Sequence, residues 1–259
     1  MKVVILAGGL GTRISEESYL KPKPMIEIGE QPILWHIMKE YSHYGFDEFI
    51  ICLGYKGYKI KEYFNDYYLY TSDVTIDLKN NKMITHDNHS EKWKVTLVET
   101  GLHTLTAGRL KRIQKYIGNE PFMLTYGDGV SDINIKELVD FHKKTNKLAT
   151  ITSYNFGQRF GVVVTNETNE VVSFREKRTS DGSFINAGYM VFNPEIFNVL
   201  PENSDEIMLE TILEKLAEDR KLAAYKHDGF WFGMDTQRDK RQLEEMWNSG
   251  NAKWKTWKD

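Results

Sequence analysis

Val3-Val4-Ile5-Leu6-Ala7 is apolar at every position, which predicts a strand covered on both faces, as in a parallel sheet. After Pro32 the pattern changes. Ile33, Leu34, Ile37, Met38 and Tyr41 recur at helical spacing until Gly45, and a second apolar run follows over 49–53, so the two strands and the helix between them predict a right-handed βαβ unit. The same periodicities predict a helix over 56–64, strands over 74–78 and 94–98, a helix near 105–117 and a strand over 122–126. Beyond it they give a helix over 134–146, strands over 149–153, 161–164, 171–175 and 184–192, a helix over 206–219, a strand over 223–227 and a helix over 237–248. The expected fold is therefore α/β: a Rossmann-like, mixed but mostly parallel sheet flanked by helices, more antiparallel from about residue 148. At 259 residues one domain over 1–259 is expected. The tail over 247–259 carries Trp247, Trp254 and Trp257, more aromatic surface than a free terminus needs. It is expected to dock on its own core or on another subunit.

Composition narrows the function classes. The formal net charge is −3, with acids and bases mixed along the chain, so no field is strong enough to hold nucleic acid or an anionic membrane. Any phosphate must be held locally. Cys52 is the single cysteine and lies in an apolar run, which excludes an intramolecular disulfide and fits a reducing compartment. Met1-Lys2 leads directly into the first strand without the apolar region of a signal peptide, and no apolar run is long enough to span a bilayer. The expected location is cytoplasmic.

The glycines of Leu6-Ala7-Gly8-Gly9-Leu10-Gly11-Thr12-Arg13 stand at the carboxyl end of the first strand, where open α/β sheets bind ligands. Glycine lets consecutive N–H groups face one point, a nest suited to phosphate oxygens. Arg13 can add a bidentate clamp. No Lys-Ser/Thr pair follows, and the spacing does not fit Gly-x-Gly-x-x-Gly, so neither a Walker A loop nor a dinucleotide fingerprint is present. Taken alone, the segment could be a plain glycine turn. Lys21-Pro22-Lys23-Pro24 places two lysines in a stretch that prolines hold extended, so one ammonium can be fixed beside the loop.

Together these segments carry a specific likeness. Residues 8–13, then Lys21-Pro22-Lys23-Pro24-Met25-Ile26-Glu27-Ile28-Gly29 and Pro32-Ile33-Leu34-Trp35-His36, resemble the sugar-nucleotide pyrophosphorylases, and among them the members that use CTP and glucose 1-phosphate. The likeness continues through Gly108-Arg109, Tyr126-Gly127-Asp128-Gly129, Phe174-Arg175-Glu176-Lys177 and Met234-Asp235-Thr236 to the tryptophan tail. It implies the nucleotide-diphospho-sugar transferase fold and formation of CDP-glucose and pyrophosphate. It also implies Mg2+ as cofactor and a homo-oligomer, with a hexamer as one form. For the nucleotide it implies contacts from Leu6, Ala7, Gly8, Gly9, Gly11, Thr12, Arg13, Lys23, Thr106, Arg109 and Gly127, with Arg13 and Lys23 catalytic. For the sugar phosphate it implies Gly161, Glu176, Lys177, Asn186 and Gly188. The chain departs from the family pattern in three places: Arg178, the pair Glu30-Gln31, and Ala187.

Asp128 follows an apolar strand and is bracketed by glycines, which gives a ligand close access. Magnesium takes few protein carboxylates together with phosphate oxygens and water, and Asp235 is the second candidate; the resemblance implies that both bind the metal. Asp235 could instead cap the final helix, and Asp132 is read as the cap of the helix near Asn134. His36, His103 and His227 lack a paired carboxylate or cysteine pattern and are read as packed or surface residues. The rival within the class is a pyrophosphorylase for another base or sugar; outside it, a metal-dependent glycosyltransferase would release nucleoside diphosphate instead of pyrophosphate. A non-catalytic sensor of sugar nucleotides is the third alternative.

Overall fold

The computed structural model describes residues 1–155, 162–165, 168, 170–175 and 184–258. Its frame is a seven-stranded sheet built from β1 (Val3–Ala7), β2 (Glu48–Leu53), β3 (Lys94–Glu99), β4 (Phe122–Tyr126), β5 (Ala149–Asn155), β6 (Phe184–Phe192) and β7 (Leu222–His227). Across the sheet the order is β7-β5-β6-β4-β1-β2-β3. Only β6 runs against the others: it pairs antiparallel with β4 and β5, while every other pairing in the sheet is parallel. Both antiparallel pairings of the main sheet thus involve a strand of the second half, where the sequence pattern places more antiparallel character. Its antiparallel character resides in β6 and in the small ladders Val162–Thr165 with Val171–Arg175 and Trp231–Gly233 with Gly129–Ser131.

Period-two alternation sorts each buried strand between two cores. Val3, Ile5 and Ala7 of β1, with Phe49, Ile51 and Leu53 of β2, face one side; Val4, Leu6, Ile50 and Cys52 face the other. The first side is covered by α1 (Ile33–His43), α4 (Ile135–Thr145) and α6 (Gln237–Asn248). On the second lie α3 (Thr106–Arg112) and α5 (Leu209–Glu218). Helix α2 (Gly57–Tyr70) carries the chain from β2 to an exposed hairpin over Asp73–Asp77 and Lys82–His86. Helix limits follow local chemistry: Gly45 at φ +83° ends α1, Asn134 caps α4 by accepting from Glu137 N–H at 3.1 Å, and Thr236 with Asp239 forms a capping box for α6.

The tryptophan tail docks on its own core. Trp254 is fully buried and Trp257 nearly so; the Trp254 indole N–H donates to His36 Nδ1 at 3.3 Å, and His36 Nε2 meets the Ile28 carbonyl at 2.8 Å. Among the described residues no helix is long and apolar enough to cross a membrane.

Candidate functional site

The chain leaves β1 to build β2 and β3 on one side and returns to add β4 on the other. Between the carboxyl ends of β1 and β4 the loops diverge, and this crevice is where open α/β sheets take ligands. A cavity of about 490 Å³ lies there. Its lining includes every sequence-predicted nucleotide and metal residue: Leu6, Ala7, Gly8, Gly9, Gly11, Thr12, Arg13, Lys23, Thr106, Arg109, Gly127, Asp128 and Asp235.

The glycine loop is held from behind. Arg109, 5% exposed, donates from one guanidinium nitrogen to Leu53 O at 2.9 Å and Thr100 Oγ1 at 2.7 Å, and from the other to Gly8 O at 3.1 Å. It braces the loop through carbonyl oxygens. A Cβ on Gly8 would collide with this guanidinium, so glycine is required there for close approach. Gly11 has φ +64°, and Ser18 Oγ donates to its carbonyl at 2.9 Å. Thr106 also lines the cavity, with its hydroxyl oxygen accepting from Leu209 N–H at 2.6 Å and thereby joining the starts of α3 and α5.

Lys23 is not on an extended stretch. Pro22 is extended, but Lys23–Met25 closes a 3-10 turn, with Met25 N–H donating to Pro22 O at 2.8 Å. The turn buries the Lys23 stem to 9% exposure and delivers its ammonium to Asp128 Oδ2 at 2.6 Å and Asp235 Oδ1 at 2.8 Å. Lys21 stays outside the site and pairs with Glu27 at 2.7 Å. Arg13 stands at the rim, its side chain 73% exposed, 3.1 Å from Asp235 Oδ2.

Backbone pairing fixes the two carboxylates relative to each other. Residues 129–131 and 231–233 form an antiparallel ladder, and Met234 N–H donates to Asp128 O at 2.8 Å. Asp235 is not the cap of α6, because Thr236 fills that position; its carboxylate is free to face the cavity. Nor does Asp132 cap α4. It accepts from Phe230 N–H at 2.6 Å and meets His227 Nε2 at 3.0 Å.

Convergence of two carboxylates on one cation tests the fit of a metal. The ammonium marks a point within 2.8 Å of both carboxylates that opens onto the cavity. Two carboxylates with space for phosphate oxygens and water suit Mg2+. Among the described residues no group of three or more His, Cys, Asp or Glu side chains forms a closed metal cage.

The opposite wall was not legible as a site in the sequence. Leu102, His103, Thr104, Leu105 and Met208 line it, with Tyr126 between them and the Asp128 loop. Leu102 and Met208 are 46% and 42% exposed, apolar surface turned toward a cavity. On the sugar side, Gly161, Glu176 and Lys177 lie outside the described residues, as does Arg178. Asn186 and Gly188 do not line the cavity: Asn186 Oδ1 accepts from Gly188 N–H at 3.0 Å, and Gly188, at φ +83°, lies against the Tyr126 ring. Trp231 Nε1 donates to Ala187 O at 2.7 Å.

Comparison with known proteins adds to this geometry. The sequence model of the Nucleotidyl transferase family matches residues 2–259. The glucose-1-phosphate cytidylyltransferase of Salmonella typhi is 51% identical over 99% of this chain and 100% of that protein. A UTP–glucose-1-phosphate uridylyltransferase of Synechocystis is 27% identical over 84% of this chain and 55% of its own length. Among solved structures, a UDP-glucose pyrophosphorylase from Acinetobacter baumanii superposes with a TM-score of 0.70 at 18% identity, covering 98% of this chain and 95% of that one.

Proposed function

The chain belongs to the nucleotidyl transferase family, and from that premise we propose that it transfers CMP from CTP to α-D-glucose 1-phosphate, giving CDP-glucose and pyrophosphate. The observation that carries the choice of CTP and glucose 1-phosphate is the 51% identity, end to end, to a glucose-1-phosphate cytidylyltransferase; the likeness to the uridylyltransferase is 27%.

In this reaction a phosphate oxygen of the sugar attacks the α-phosphorus of CTP in line. A new P–O bond forms, the bond to the β-phosphate oxygen breaks, and pyrophosphate carries away the electron pair. Positioning and charge neutralisation suffice, without a covalent intermediate. The Gly8–Gly11 loop, braced by Arg109, supports phosphate binding through main-chain N–H groups. Arg13 at the rim is placed to hold the departing β- and γ-phosphates. Asp128 and Asp235 would hold Mg2+, which when bound neutralises and orients the triphosphate. The three donors of the Lys23 ammonium are available to phosphate oxygens, offsetting negative charge that builds at the α-phosphate. Glu176 and Lys177 are assigned to the sugar phosphate, and Asn186 and Gly188, the latter beside the Tyr126 ring, to the sugar.

A homo-oligomer is supported by Ile76, Leu78, Met83 and Ile84, which are exposed on and beside the 73–86 hairpin. Light scattering on the purified protein reads the assembly. We assign the reaction to the cytoplasm, in keeping with the free thiol of Cys52. The decisive assay measures pyrophosphate release with CTP, UTP, GTP and dTTP against several sugar 1-phosphates. Release of pyrophosphate above background only with CTP and glucose 1-phosphate is expected; preference for another pair replaces the substrate assignment, and nucleoside diphosphate as product overturns the reaction class.

A further inference from the structure

Glu40 lies in the middle of α1, where helical spacing puts it beside Ile37 and Tyr41 on the core-facing stripe. It is 3% exposed. Among the described residues no cation pairs with it: Oε1 accepts from Ser131 N–H at 3.1 Å, and Oε2 lies 2.5 Å from the hydroxyl of Tyr189. Tyr189, on β6, is 1% exposed, and its hydroxyl also reaches the Gly129 carbonyl at 3.2 Å. A tyrosine has one proton to give. Both contacts are satisfied without conflict when Glu40 is a neutral acid, donating to the Tyr189 oxygen while Tyr189 donates to Gly129 O and Ser131 N–H donates to Oε1. Burial, aided by nearby Asp132, holds the Glu40 carboxyl well above the usual carboxylate range, in keeping with that arrangement.

The atoms so gripped belong to residues 129 and 131, the ends of the short strand that immediately follows Asp128. This strand pairs with 231–233, which leads into Asp235, and Met234 N–H closes the ladder on Asp128 O. Both carboxylates therefore hang from one small ladder. Asp132 and Ser131 tie the far end of that ladder to Phe230, and Ser131 Oγ lies 3.5 Å from His227 Nε2 at the end of β7; Glu40 and Tyr189 join its Gly129–Ser131 strand to α1 and to β6.

We propose that Glu40, acting through Tyr189, is a positioning residue that sets the separation of Asp128 and Asp235 for a divalent cation. The proposal rests on the assignment of those two aspartates as the metal ligands. It places the control of metal affinity in a polar relay whose two residues, Glu40 and Tyr189, do not line the cavity.

The test uses the full chain and measures Mn2+ binding by electron paramagnetic resonance with CTP present, together with the Mg2+ concentration at half-maximal turnover. Glu40→Leu removes the contacts to Ser131 N–H and to Tyr189 and is expected to weaken Mn2+ binding about tenfold or more, the range typical of groups that orient metal ligands. Glu40→Gln retains a neutral donor and acceptor in the same shape and is expected to restore binding to within about threefold of the parent. Tyr189→Phe, which keeps the ring in the core, serves where Glu40→Leu does not fold and is expected to weaken Mn2+ binding likewise. Unchanged Mn2+ affinity in Tyr189→Phe, or in a folded Glu40→Leu, overturns the proposal, as does loss of affinity in Glu40→Gln equal to that in Glu40→Leu. Asp128→Asn and Asp235→Asn separate the two levels: if neither alters Mn2+ affinity the ligand assignment itself fails, whereas if they do and the relay variants do not, only the positioning role fails.

Discussion

Lys23 shows how one residue's conformation decides a site. Its ammonium is held by two carboxylates in the lining of the cavity, where the proposed mechanism has charge build on the α-phosphate during transfer. Removing such a group from a dry site typically costs about 3–4 kcal/mol of transition-state stabilisation, so Lys23→Ala is expected to lower kcat by about two orders of magnitude or more. Steady-state kinetics at saturating CTP check this, and near-normal kcat excludes the role. Gly8 makes a different demand. The Arg109 guanidinium occupies the space a side chain would need, so Gly8→Ala forces either the loop or the arginine to move. The variant is expected to bind CTP at least about tenfold more weakly, because N–H groups aimed at phosphate lose their aim with shifts of about 1 Å. Isothermal titration against CTP measures it, and parent-like affinity would show that the loop tolerates displacement.

At the scale of elements, the tail and the helix it covers form one unit. Trp254 is fully buried between Phe230 and Trp247 and bonded to His36. Trp254→Ala is expected to destabilise the fold by about 3–5 kcal/mol, as for large aromatic truncations in a core; urea unfolding reads the loss, and a change below 1 kcal/mol would mean that the tail is bound only loosely. Elements also show which features were legible in the sequence. Continuous apolar runs gave β1, β2 and β4 because buried parallel strands show no alternation, and the final helix begins and ends where its pattern predicts. The glycines and the flanked aspartate picked out residues that line one cavity, because few residue types suit a phosphate and metal site. The Leu102–Leu105 wall was not legible, because exposed leucines in a loop have no distinctive pattern until a cavity faces them. Lys23 was misread as extended, since Pro22 fixes its own backbone but leaves the following turn to the hydrogen bond from Met25. Glu40 left a signal that went unused: a carboxylate inside an apolar helical stripe needs a buried partner. The 27–28 and 31–32 ladder is too short for periodicity to register.

For the whole molecule, His36 is the junction of the 27–32 turn, α1, α6 and the tail, and its surroundings make stability depend on pH. Its ring meets a carbonyl at Nε2 and an indole N–H at Nδ1, so the neutral form with its proton on Nε2 satisfies both, and a second proton would set two donors against each other. Burial lowers its pKa from 6.5 to about 4. The unfolded chain, with an ordinary histidine, takes up the proton first as pH falls, so this group's contribution is intact above about pH 6.5 and is lost progressively toward pH 4. Glu40 works in the opposite sense, since a carboxyl with raised pKa stabilises the folded state more as pH falls. Comparison with His36→Gln separates the two, because Glu40 contributes alike to both proteins. The stability difference between parent and variant is expected to shift by about 2 kcal/mol in the variant's favour from pH 7 to pH 5. Urea unfolding at both pH values measures it. Parallel pH profiles would show that His36 does not couple the tail to protonation, and would leave acid sensitivity to other groups, among them the buried His142, whose pKa burial also lowers.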